Sequence, residues 1–64
     1  MEIDVEVDGR RYVAQVHKVD GVITVITEDG GMETTSLGGS SAESMARILL
    51  RRMVKNGKAS PQAT

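Results

Sequence analysis

Two periods of apolar spacing divide this chain. Up to Leu37, apolar and polar residues mostly alternate with a period of two, the pattern of strands that bury one face. Beyond it, Ala42, Met45, Ala46, Leu49, Leu50 and Met53 recur at i, i+3, i+4, i+7, i+8 and i+11, one continuous face of a helix. Three Asp-Gly pairs punctuate the first half: Asp8-Gly9, Asp20-Gly21 and Asp29-Gly30. A type I′ hairpin turn needs φ > 0 at both central positions, and Asp-Gly is among the pairs that meet this demand. The runs between are rich in Val, Ile and Thr, as strands are. The expected strands span residues 2–7, 10–19, 22–28 and 32–37, with METTS at 32–36 readable as strand or extended loop.

The turns predict a register. With Val7 facing Arg10, Val5 faces Tyr12, Asp4 faces Val13 and Ile3 faces Ala14. Side chains alternate across a strand, so Met1, Ile3, Val5, Val7, Tyr12, Ala14 and Val16 share one face. Glu2, Asp4, Glu6, Arg11, Val13, Gln15 and His17 share the other. The second turn pairs Val19 with Val22 and Val16 with Val25, which adds Ile23 and Val25 to the core face. Val22, Thr24 and Ile26 then point the opposite way, so the third strand is apolar on both sides. At Glu28-Asp29-Gly30-Gly31 a two-residue loop and a three-residue loop with a bulge place Leu37 on opposite faces. The longer loop seats Leu37 beside Ile23 in the core and is the one expected.

Gly38-Gly39 lets the chain reverse and lay the helix over the sheet. Ser40 is the expected N-cap, with Glu43 completing a capping box, and Asn56-Gly57 supplies the stop. The fold class is α+β: an antiparallel three- to four-stranded β-meander followed by one C-terminal α-helix packed on one sheet face. Residues 1–57 form this one domain, and residues 58–64, without apolar periodicity and interrupted by Pro61, are expected to be a disordered tail.

Composition narrows the chemistry. The 64 residues include no cysteine and one histidine, so neither disulfides nor a zinc site reinforces a core of this size. Oligomerisation is the reinforcement left open. An acidic start (Met1-Glu2-Ile3-Asp4) is unlike a signal peptide, and no apolar run reaches the length of a membrane span. A soluble cytoplasmic protein, with no membrane contact, is the default expectation.

The net charge of −1 conceals a segregation. All nine acids lie in residues 1–43 with three bases, and residues 44–64 hold the other five bases and no acid. Cations at a helix C-terminus suit the macrodipole, which is the leading account of the pattern, and a basic surface that meets an acidic partner is the other.

No catalytic set emerges. Glu2, Asp4 and Glu6 sit two residues apart along a solvated strand, too spread for a closed cation cage, and acids on an edge strand also discourage edge-to-edge pairing. His17 has no nucleophile or second ligand beside it, the serines form no nucleophile elbow, and the glycines follow no phosphate-binding order. The sequence implies no cofactor and no enzyme.

Two binding readings remain. Val13, Val19, Val22 and Ile26 lie on the sheet face that one helix does not cover, and Ile48 and Val54 flank the helix stripe. Exposed contiguous apolar surface marks protein contacts, so self-association as a homodimer, or binding of another protein, is the leading expectation. The alternative is a nucleic-acid contact through Arg47, Arg51 and Lys55, spaced i, i+4 and i+8 on the helix exterior. The stretch LGGSSAESMARILL resembles the strand–turn–helix step of small plant domains that read DNA with a three-stranded sheet. The resemblance is one of architecture, because the basic and aromatic sheet positions that read DNA there are missing here. Tyr12 is the sole aromatic residue.

Overall fold

Four strands and one helix succeed one another along the chain in a computed structural model that describes residues 1–61. Strands β1 (Glu2–Val7), β2 (Arg10–Val19), β3 (Val22–Thr27) and β4 (Met32–Ser36) form one antiparallel sheet in the order β1-β2-β3-β4. Helix α1 (Ala42–Lys55) packs across one face of it. The fold is α+β, a four-stranded meander closed by a single helix.

The first two hairpins have the register that their turns demand. Asp8 and Gly9 adopt φ of 53° and 77°, Asp20 and Gly21 of 51° and 76°, which is the left-handed pair of a type I′ turn. Val5 therefore faces Tyr12, Asp4 faces Val13, and Val16 faces Val25. Ile3, Val5, Tyr12, Ala14, Val16, Ile23 and Val25 are buried under Ala46, Leu49, Leu50 and Met53 of the helix. Met1 stands one residue outside β1. It exchanges backbone hydrogen bonds with Val16, but its side chain is exposed and the core begins at Ile3.

The third connection differs. Ile26 pairs with Met32 and Thr27 bonds to Gly31, leaving Glu28-Asp29-Gly30 as a three-residue loop with Gly30 at φ 90°. This is the longer loop, and it carries Leu37 into the core at 8% exposure, although Leu37 bonds to Gly21 and it is Thr35, not Leu37, that faces Ile23. METTS is a strand, and β3 ends at Thr27 rather than residue 28. The Thr27 side chain, buried on the covered face, accounts for the difference. Its hydroxyl donates to Asp29 Oδ1 at 2.6 Å and accepts from the Gly31 amide at 2.9 Å, which fixes a loop shape that Asp-Gly alone does not specify.

The helix begins one residue later than a Ser40 cap would have it. Ser41 is the N-cap, with extended φ and ψ of −71° and 148°, and its Oγ accepts from the Ser44 amide at 3.2 Å. Ser40 instead belongs to the reversal: its amide donates to Leu37 O across Gly38 and Gly39, both at positive φ. With Ser41 as cap, the third helical residue is Ser44 and not Glu43, so no capping box forms. Glu43 pairs with Arg47 one turn on, at 3.0 Å. At the other end the Gly57 amide donates to Val54 O and the Lys58 amide to Met53 O, a Schellman motif around Gly57 at φ 75°. Val54, expected as surplus surface, packs against the rim of the core.

Past Gly57 the chain returns over the β3–β4 loop. Ala59 packs against the core, Lys58 pairs with Glu33, and Ser60 Oγ donates to Asp29 Oδ2 at 3.0 Å. Gly31 lies directly beneath, where a Cβ would collide with the Lys58 carbonyl oxygen. Residues 58–60 of the expected tail thus touch the domain, and residues 62–64 lie outside the described residues.

Candidate interaction surfaces

The sheet has a covered face and an open one, and the open one is ordered in rows. Cross-strand pairing sets Glu2, Gln15, Ile26 and Met32 side by side across all four strands. The next row toward the β2–β3 turn is His17, Thr24 and Thr34, and the one beyond is Val19, Val22 and Ser36. On the other side Asp4 lies opposite Val13, and Glu6 opposite Arg11.

This arrangement divides the candidate interface. Val13 and Ile26 are half-buried and floor a shallow depression rimmed by Glu2, Gln15 and Glu28. Val19 and Val22, 68% and 38% exposed, form a second apolar group near the β2–β3 turn. The polar row of His17, Thr24 and Thr34 separates the two, with the Thr24 and Thr34 hydroxyls 3.4 Å apart. Ile48, 59% exposed, stands on the helix exterior. The structure also adds Met32, 60% exposed, beside Ile26 on the open face. Its side was illegible while the third loop had two lengths.

The basic residues also divide. Arg47 does not stand free: its guanidinium donates to Asp4 O at 2.6 Å and to Glu43 Oε1 at 3.0 Å. Met1 and Val16 exchange both backbone hydrogen bonds, and paired residues alternate in kind along an antiparallel ladder. Asp4, three residues on, therefore turns its carbonyl to the free edge, and Arg47 caps it. On the helix's other flank Arg52 approaches Glu33 of β4 at 4.0 Å. Arg51 and Lys55 make no ion pair with any of the described residues and, with Arg52, surround Ile48 in a second shallow depression.

The acids of β1 are used separately. Asp4 accepts from Arg11 Nε at 2.9 Å and Glu2 from Gln15 Nε2 at 3.2 Å. Among the described residues no three His, Asp or Glu side chains converge as metal ligands. His17 lies opposite Thr24. Two carboxylates have shifted titration, both at the β3–β4 corner. Hydrogen bonds from Thr27 and then Ser60 hold Asp29 below its usual value, and the Lys58 ammonium holds Glu33 below its own. These groups fasten the residues after Gly57 to the sheet and line neither depression.

No helix among the described residues is long and apolar enough to cross a membrane. Compared with known protein families, with characterised proteins and with solved structures, the chain finds no match in any of the three.

Proposed function

We propose that this protein is a non-enzymatic interaction domain that binds protein, in the first instance a second copy of itself, through the open face of its sheet. The observation that carries the reading is the Val13–Ile26–Met32 patch: apolar side chains on a face that no element among the described residues covers. Apolar surface of this kind, rimmed by polar groups, marks a protein contact. Catalysis finds no support, because the perturbed carboxylates hold one chain segment to another.

A series of solution masses from micromolar to millimolar concentration tests the reading. The mass should rise with concentration for the native chain and fall back to that of a monomer for Ile26→Lys, whose charge would lie in the contact. A native chain that stays monomeric throughout would refute it.

One observation favours a second reading, nucleic-acid contact: Arg51 and Lys55 are unpaired among the described residues and flank Arg52 around Ile48. Retardation of DNA or RNA at low salt, lost in Arg51→Ala with Lys55→Ala, would transfer the helix exterior to that partner.

A further inference from the structure

We propose that the open sheet face of one copy receives the helix exterior of the next, so that association is head-to-tail rather than two-fold. The inference rests on the preceding reading of the sheet face as a contact surface, and names what that face contacts. The two depressions are opposite in charge. The one on the sheet holds Val13 and Ile26 between Glu2 and Glu28, with Asp4 next to Val13. The one on the helix holds Ile48 among Arg51, Arg52 and Lys55. Each is an apolar centre within a charged rim, and one rim has the sign the other lacks.

Pairing like with like sets these charges against each other. Two sheet faces in contact would bring together Glu2, Asp4, Glu6 and Glu28 of both copies, offset on each by Arg11 alone. Two helix exteriors would bring together six cations, three from each copy, of which only Arg52 lies near a carboxylate of its own chain, Glu33. Like charges across an interface are a strong bar to a pairing, whereas opposite rims steer and orient it. Only the mixed contact buries Ile48 against Ile26 with its cations facing carboxylates. Such a contact is heterologous, and the resulting pair keeps one unused surface of each kind, a helix exterior on one copy and a sheet face on the other. Assembly therefore continues past the dimer, to a ring or a filament. Added salt screens the rims and weakens it.

The test uses the full chain in sedimentation velocity, with circular dichroism to confirm folding. Ile26→Lys spoils the sheet face and Ile48→Glu spoils the helix exterior. Each variant alone should be a monomer at concentrations where the native chain forms species larger than a dimer. Mixed in equal amounts, they should form a dimer and nothing larger, because one intact face of each kind remains. Should either apolar substitution unfold the chain, Glu28→Lys and Arg51→Glu, both at exposed positions, take their place. Each should weaken assembly roughly tenfold or more, and their mixture should restore it, since every contact can again join opposite charges. If Ile26→Lys is a monomer while Ile48→Glu and Arg51→Glu assemble like the native chain, the contact joins sheet to sheet. The proposal then falls and the reading of the sheet face stands. A native chain that is monomeric at every concentration overturns both.

Discussion

Val22 and Ile23 are neighbours on β3, equally suited to a strand, yet one is 38% exposed and the other fully buried. The same contrast runs along the whole sheet. On the covered face β1, β2 and β3, with Leu37 just past β4, form one core under Ala46, Leu49, Leu50 and Met53. On the open face all four strands carry rows of carboxylates, hydroxyls and isolated apolar groups that nothing among the described residues packs over. The core face is closed on itself, and its residues are accounted for by stability alone. The open face has more apolar surface than the fold uses, and that excess makes it the place to look for a partner.

The sharpest way to break this comparison is to truncate adjacent residues that point in opposite directions. Ile23→Ala removes a fully buried side chain and should cost about 2–5 kcal/mol in urea-unfolding measurements, since the cavity adds to the lost transfer energy. Val22→Ala, one residue away, should change stability by about 0.5 kcal/mol or less at a concentration where the chain is monomeric. Equal losses at the two positions would mean that the open face is covered in the monomer as well.

Thr27 is the buried polar residue of the covered face, and replacing it tests how the third loop is held. Thr27→Val leaves the Gly31 amide without its partner and takes the donor from Asp29, at an expected cost of about 1–3 kcal/mol near neutral pH. It should also change the response to acid. Hydrogen bonds from Thr27 and Ser60 lower the Asp29 pKa in the folded state. That contribution is present above the ordinary carboxylate value and is lost as pH falls from there through the lowered folded value. Glu33, lowered by Lys58, behaves in the same sense. Melting temperature should therefore decline on acidification in the native chain, and less steeply in Thr27→Val. An unaltered acid limb would detach Asp29 from the threonine.

Most of the covered face was legible in the sequence, and the reason lies in its turns. Asp8-Gly9 and Asp20-Gly21 each fix a two-residue loop, and with the loop length fixed the alternation of every following residue is fixed too. Asp29-Gly30 is the same dipeptide in a different loop. There the outcome depends on a threonine hydroxyl and on a segment 31 residues away in the chain, neither of which has a local signal. The open face was less legible because contiguity is not a property of one strand. Val13, Val19, Val22 and Ile26 do share a side, but the row of His17, Thr24 and Thr34 between them shows only once the strands are laid together. Arg47 shares a periodic spacing with Arg51 and Lys55, yet it sits at the flank of α1, close enough to reach the edge carbonyl of Asp4. Periodicity gives the side of a helix, and the width of the sheet beneath decides which flank is occupied.

The smallest effect concerns the serine that sets where the helix begins, and so which of its residues face inward and which face out. Two serines compete for that role in sequence, and a Ser40 cap would have come with a glutamate at the matching position of a capping box. The Gly38-Gly39 reversal decides between them, because it holds the Ser40 amide on Leu37 O and leaves Ser41 extended in front of the first helical turn. Ser41→Ala should therefore lower stability by about 0.5–2 kcal/mol, as loss of an N-cap does. Ser40→Ala should change it by a few tenths of a kcal/mol, in the range of ordinary surface substitutions. Thermal melts of the two variants at equal, low concentration make the comparison. A larger loss from Ser40→Ala would start the helix one residue earlier and restore the pairing of that serine with Glu43, at the expense of the Glu43–Arg47 contact that steadies Arg47 over the edge of β1.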